Sequence, residues 1–253
     1  MSELAGKVAV VTGAGQGVGQ GIALAFSAAG AAVVVAGRTL EKVEATAAAI
    51  RAHGGKALAL ACNVKDASDL AALVEQAAAQ FGGIDILVNN AQEVPLGKLM
   101  DVSDEAFVAG FESGPLASFR LMKLVQPHMA ARGGGTIINL ASSAGIRWDM
   151  TGYGAYAAVK QAVRALTRAG AAEWGADKIR VLTVAPHAES PGLKWWVENN
   201  PDEAKAFFRT IPLGRIGRLE EDIGRAVVAL CSESMAYLTG ATIPLDGGQA
   251  NFD

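Results

Sequence analysis

Three groups of residues in this chain have types and spacings that can do chemistry. Thr12-Gly13-Ala14-Gly15-Gln16-Gly17-Val18-Gly19 is glycine-rich, Ser143 stands near the middle of the chain, and Tyr156 is followed four residues later by Lys160. Glycine lets a backbone approach a diphosphate closely, and a helix starting near Gly17 would turn its free N–H groups and positive dipole end toward that anion. Tyr156 and Lys160 share one face of a helix at this spacing. A phenol ordinarily ionises near pH ~10, and a neighbouring ammonium lowers that value. Such a phenol can give a proton to a nascent alkoxide or take one from an alcohol. Ser143, expected at the end of a strand, would hold the substrate oxygen beside it. The combination calls for a dinucleotide hydride carrier meeting a carbonyl or alcohol.

The cofactor half extends beyond the glycines. Gly13, Gln16, Gly17, Val18 and Gly19 form the expected diphosphate cradle between a strand and a helix. At the tip of the second strand a carboxylate would bond a ribose 2′-hydroxyl. This chain has Val35-Ala36-Gly37-Arg38 instead. A guanidinium suits a 2′-phosphate, so NADP(H) is expected in preference to NAD(H), with NAD(H) as the alternative. Asn63 and Val64 follow the third expected strand and would meet the adenine edge. Asn90 and Ala91 follow the fourth and would line the floor under the adenosine. Asparagine at such places can also be a turn residue only.

Placing these groups requires a particular set of elements. Short β-branched runs alternate with alanine-rich helical stretches along all 253 residues. Strands are expected at about 7–12, 32–37, 56–61, 84–89, 135–141, 179–185 and 241–245. Helices are expected at about 17–29, 40–53, 67–81, 103–131 with a break, 154–175 and 220–231. This alternation predicts an α/β fold: a doubly wound parallel sheet of about seven strands, helices on both faces, in one domain spanning 1–253. Nearly continuous apolar strands such as Val8-Ala9-Val10-Val11 fit a sheet covered on both faces. The stretch 186–219 reads as irregular and is the expected substrate lid.

Bulk properties exclude several classes. Net charge is −3, so neither nucleic acid nor an anionic membrane is an expected partner. No apolar run reaches the ~20 residues of a spanning helix. Residues 1–7 lack a basic, apolar leader pattern, and Cys62 and Cys231 have no metal spacing; a cytoplasmic protein with no metal is expected.

The chain resembles the short-chain dehydrogenase/reductase family over essentially its whole length. The matching segments are Thr12-Gly13-x-x-x-Gly17-x-Gly19, Asn89-Asn90-Ala91, Ser143, Tyr156-x-x-x-Lys160, Pro212-Leu213-Gly214-Arg215, Leu238-Thr239-Gly240 and Asp246-Gly247-Gly248. The resemblance implies a Rossmann-type fold, NAD(P)(H), and Ser143, Tyr156 and Lys160 as catalytic residues, with Tyr156 and Lys160 also at the cofactor. It also implies a homo-oligomer, tetramer or dimer. Pro186 and Ser190 would contact the nicotinamide end. Three positions depart from the family's pattern. Gln92 stands where glycine usually follows Asn-Asn-Ala. Gly114, before Pro115, stands where the family has a helix-kink asparagine that supports a water relay to the lysine. His187 follows Pro186 in place of glycine. Gly114-Pro115 is expected to make the kink by backbone chemistry, because Pro115 has no N–H for the Phe111 carbonyl.

Trp148, Trp195, Trp196, Phe207 and Phe208 would surround the substrate, or else pack the lid or a subunit contact. Gln92, Glu93, Arg147, Asp149 and His187 would add polar recognition. The expected function is a carbonyl reductase or alcohol dehydrogenase acting on a bulky, hydrophobic or cyclic small molecule. The alternatives are reduction of another polarised double bond such as an imine, or a catalytically impaired nucleotide-binding regulatory or interaction protein.

Overall fold

The computed structural model describes residues 2–146 and 151–250. Seven strands form one parallel sheet in the order β3-β2-β1-β4-β5-β6-β7. They are β1 Val8–Thr12, β2 Ala32–Gly37, β3 Ala57–Ala61, β4 Ile86–Asn89, β5 Gly135–Leu140, β6 Ile179–Pro186 and β7 Thr242–Leu245. Helices α1 Gly17–Ala28, α2 Leu40–Ala52, α3 Ala67–Phe81, α4 Asp104–Phe111, α5 Ala117–Ala131 and α6 Gly154–Trp174 connect them, and α7 Pro191–Asn199, α8 Pro201–Phe208 and α9 Arg225–Cys231 complete the described helices. Among the described residues, no helix is long and apolar enough to cross a membrane.

The period of two along each strand divides the core. Ala9, Val11, Val33, Val35, Ile138 and Val184 face α1, α2 and α9, whereas Val10, Val34, Leu87, Ile137 and Val181 face α3 and α5. Both faces are therefore dry, which is why the strands read as unbroken apolar runs. The order reverses between β1 and β4, opening a crevice at the carboxyl ends of the strands.

The expected break in the helix 103–131 is a π-helical turn, Glu112–Leu116, between α4 and α5. Pro115 cannot donate to a carbonyl one turn back, and the wider turn accommodates that loss. The chain over 186–219 departs from the expected irregular stretch, since it holds α7 and α8. Each begins with a proline in its first turn, where the missing N–H costs nothing, so a residue that reads as a breaker is a helix start. The fifth strand also ends earlier than expected. β5 stops at Leu140, and Ser143 opens a one-turn 3₁₀ helix, Ser143–Gly145, capped by Ser142.

One buried carboxylate ties the sheet together beneath the crevice. Asp85 is 4% exposed. It accepts from the Val8 N–H (2.8 Å) and from Arg132 Nε (2.9 Å), joining β1, the entry to β4 and the end of α5. Removing a buried charge-assisted partner strands the other groups. Asp85→Ala is expected to lower the unfolding free energy by about 2–4 kcal/mol, read by urea denaturation. A loss under about 0.5 kcal/mol would place Asp85 among ordinary surface charges.

Candidate active site

The crevice is a cleft of about 1100 Å³ lined by the loops that follow β1 to β6. At one end lies the glycine loop. Gly13 and Gly17 have φ of +64° and +58°, values that side chains rarely adopt. A Cβ on Gly19 would run into Asn90 Nδ2 and would lie 2.6 Å from the Gly13 carbonyl oxygen. Asn90 braces this loop from β4. Its Nδ2 donates to the Thr12 and Gly13 carbonyls (2.9 and 3.1 Å), and the backbone N–H groups of Asn90 and Ala91 donate to Thr12 Oγ1. No side chain caps α1, and its first turn holds no acid. Gln16 reaches sideways instead and accepts from Lys42 Nζ at 3.0 Å. Uncapped N–H groups above a cradle with no room for a Cβ fit a dinucleotide diphosphate.

The neighbouring end of the cleft is charged. Arg38 Nη1 lies 3.1 Å from Glu93 Oε1, and Lys65 Nζ lies 3.2 Å from the same oxygen. Glu93, expected at the substrate, is therefore placed beside Arg38 at the nucleotide end. Lys42 and Lys65 line this end too and were not singled out in the sequence, where nothing local marks them. Asn63 uses its Oδ1 to accept from the Lys65 N–H, so it closes a turn, while Val64 is buried against the cleft.

At the other end, α6 presents Tyr156 and Lys160 together, with Lys160 Nζ 5.4 Å from the Tyr156 ring centroid. Lys160 is 3% exposed. Its Nζ donates to the Leu140 carbonyl (2.7 Å) and to Gln92 Oε1 (3.0 Å). Burial pulls its pKa down to about 7. The Tyr156 phenol is pushed up to about 12, chiefly by burial, against a hydrogen bond with Ser142 that lowers it; Tyr153 raises it further. The expected phenol tuned toward neutrality is thus not a property of the cofactor-free pocket. Desolvation outweighs the help the phenol receives, and a lysine that titrates near neutrality lends it little charge.

Of the two serines that follow β5, Ser142 lies close enough to the phenol to pull its pKa down. Ser143 is buried and lines the cleft one residue further on. Both serines therefore share the cleft with Tyr156 and Lys160. Tyr153 also lines the cleft, its ring edge-on to Tyr156 at 6.5 Å, and was missed.

The far wall is aromatic. Phe207 packs edge-on against His187 (5.3 Å) and Trp196 (5.7 Å), and all three line the cleft with Leu193 and Trp195. Trp195 is 64% exposed at the rim. Phe208 lines a separate hollow of about 360 Å³ between α7 and α8. Pro186 ends β6 at the cleft. Ser190 also lines it, and its Oγ accepts from the Leu193 N–H (3.1 Å) as the cap of α7. Arg147, Trp148 and Asp149 lie outside the described residues.

Comparison with known proteins agrees with this geometry. A family model described as enoyl-(acyl carrier protein) reductase matches residues 13–250. The chain is 37% identical to a 12alpha-hydroxysteroid dehydrogenase of Clostridium sp. over 251 residues, covering 96% of each. A solved structure of 7alpha-hydroxysteroid dehydrogenase, complexed with NADH and 7-oxo glycochenodeoxycholic acid, superposes with a TM-score of 0.92 at 32% identity, covering 98% of this chain and 96% of that one. A structure described as an NAD(P)-dependent gluconate 5-dehydrogenase from Beutenbergia cavernae, with bound NADP, gives 0.90 at 33% identity and 98% coverage of both.

Lys160 makes the cofactor-free site costly to fold. Its folded pKa of about 7 lies below the ordinary 10.5. Below the lower value both states hold the proton and the full cost is present. Through the window above it only the unfolded chain does, so stability rises with pH. Lys160→Met is expected to stabilise the protein at about pH 6, on the order of 1–3 kcal/mol, with the gain fading toward about pH 10 in urea titrations. A gain that does not change with pH would contradict the burial account.

Proposed function

From the membership of this chain in the short-chain dehydrogenase/reductase family, we propose that it is an NADP(H)-dependent oxidoreductase interconverting a bulky, cyclic ketone and its secondary alcohol. The observation that carries this reading is Tyr156 beside a buried Lys160, with Ser142 and Ser143 in the same cleft, at the opposite end from the glycine cradle.

Each residue has a role in this reading. Tyr156 Oη gives a proton to the substrate oxygen in reduction and takes one in oxidation. Ser143, buried in the cleft wall, holds that oxygen beside the phenol, with Ser142 next to it. Lys160 favours the phenolate through its charge, so it must keep its proton while the reaction proceeds. The bound cofactor supplies or accepts the hydride. Gly13, Gly17, Gly19 and the start of α1 would hold its diphosphate.

Arg38, Lys65 and Lys42 gather three cations at the adenosine end against the one carboxylate of Glu93, which supports a 2′-phosphate there. NAD(H) remains the alternative, and the relatives include one structure with NADH and one with NADP. The wall of His187, Trp196 and Phe207 supports a large apolar substrate. Two of the similar proteins are hydroxysteroid dehydrogenases, in keeping with a fused-ring substrate. The stretch 186–219, with α7 and α8, serves in this reading as the lid of a single-domain enzyme. A cytoplasmic homo-oligomer, dimer or tetramer, is proposed as the working form. Phe107, Val108, Leu116 and Phe119 expose apolar surface along α4 and α5 that a second copy could cover.

The test is consumption of NADPH and NADH against a panel of polycyclic and aryl ketones. Tyr156→Phe is expected to lose at least about 100-fold in kcat, and Ser143→Ala at least about tenfold. Turnover that survives Tyr156→Phe would overturn the proton-transfer role, and Ser143→Ala at the parent's rate would overturn the role given to the serine. NADH used as well as NADPH, or Arg38→Ala leaving NADPH affinity unchanged, would refute the cofactor preference.

A further inference from the structure

We propose that Gln92 is the positioning residue for Lys160, its side chain filling the hollow left by the missing side chain of Gly114. The proposal rests on the reading of Tyr156 and Lys160 as the proton-transfer pair.

The hydrogen bonds orient this amide. Gln92 Nε2 donates to the backbone carbonyls of Glu93 (2.9 Å) and Gly110 (3.0 Å). Carbonyls only accept, so the amide nitrogen has to face them, and Oε1 has to face the other way. That way lies Lys160 Nζ, at 3.0 Å. Gln92 therefore offers the lysine an acceptor and cannot turn to offer a donor.

The helix break makes this arrangement available. The Gly110 carbonyl lies near the junction of α4 with the π turn Glu112–Leu116, where it accepts from Gln92 Nε2 (3.0 Å) and, more distantly, from Ser113 Oγ (3.4 Å). Ser113 Oγ stitches the same loop to α4, accepting from the Glu93 N–H (2.9 Å) and donating to the Ala109 carbonyl (2.7 Å). Space is the second condition. A Cβ on Gly114 would lie 2.6 Å from Gln92 Oε1, 2.8 Å from its Nε2 and 2.9 Å from Val159 Cγ1. A side chain at 114 and the Gln92 amide exclude each other. Two positions at which the sequence departs from the family's pattern, 92 and 114, are thus in direct contact.

The consequence falls on the lysine's charge. Burial lowers the Lys160 pKa, and among the described residues no charged neighbour offsets it. Tyr156 and Tyr153 are the titratable groups α6 brings beside it. The end of β5 adds only a carbonyl and two serines, and Glu93 on the β4 loop is engaged with Arg38 and Lys65. Two neutral acceptors, the Leu140 carbonyl and Gln92 Oε1, are what the described residues provide to favour the ammonium. Removing Gln92 leaves one. The charge is then held less well, and the phenol it assists becomes a weaker acid.

The experiment has two arms. In the first, kcat for alcohol oxidation is followed against pH. Gln92→Ala should lower kcat about tenfold and move the acid limb, which belongs to the coupled Tyr156–Lys160 pair, upward by about one pH unit. Gly114→Asn alone should also lose activity, because the hollow is taken. In Gln92→Gly/Gly114→Asn an amide enters the same hollow from the other side, and kcat and the limb should return to within about threefold and about half a unit of the parent. An unmoved limb in Gln92→Ala, or a Gly114→Asn effect that is the same in both backgrounds, overturns the proposal.

The second arm needs no turnover. Lys160→Met should raise the urea midpoint near neutral pH more in the Gln92→Ala background than in the parent, because there it removes a less well satisfied ammonium. Equal shifts in the two backgrounds overturn the proposal even if no substrate is turned over. Coupling without any turnover would support the Gln92 contact and refute the proposed reaction instead.

Discussion

The arrangement of this site depends on one buried ammonium. Lys160 is nearly sealed from water, and a buried amine is held as a cation only where acceptors meet it. The Leu140 carbonyl meets it because β5 ends there and the chain turns away into Ser142 and the 3₁₀ turn. Gln92 meets it because β4 ends just before and the missing side chain of Gly114 opposite leaves a hollow that the Gln92 amide fills. The same strand ends that satisfy the lysine also deliver Ser142 and Ser143 to the cleft and Asn90 to the glycine loop. Lysine, phenol and cradle are therefore positioned by one structural edge.

A second network sets α6 against that edge. Asn89 on β4 donates to Asn139 on β5, and Asn139 donates to Thr167 on α6 (2.8 and 2.9 Å). Thr183 on β6 donates to the same Thr167 hydroxyl at 2.8 Å. Hydrogen bonds inside an apolar core are directional in a way that packing is not, so they fix the helix in rotation as well as in distance. Two turns along α6 that rotation decides whether Tyr156 and Lys160 face the cleft. The tyrosine-lysine motif by itself states only that they share a face.

Much of this was legible in the sequence. Strands buried on both faces leave runs such as Val33-Val34-Val35 that admit few other readings, and every expected strand lies within two residues of its observed bounds. The glycine cradle and the Tyr156–Lys160 pair were legible because their geometry is local. What escaped was set at a distance or by the end of an element. α7 and α8 hid behind prolines in their first turns. Glu93 meets Arg38 across 55 positions, and Gln92 meets Gly114 across the helix break; neither pairing has a local signature. The raised pKa of Tyr156 in the cofactor-free cleft has a related origin. Proximity to lysine is readable from spacing, but the desolvation that opposes it belongs to the folded pocket.

The central claim is that the phenol becomes a working acid and base only when the cleft is filled and Lys160 stays charged. An ultraviolet difference titration of the phenolate tests it most directly. Tyr156→Phe subtracts the signal of Tyr153 and Tyr237, the other two tyrosines of the chain. Without cofactor, Tyr156 should ionise far up, at about 12. With NADP⁺ bound it should ionise several units lower, toward neutrality. A phenol that stays near its cofactor-free value when the cleft is saturated would contradict the account.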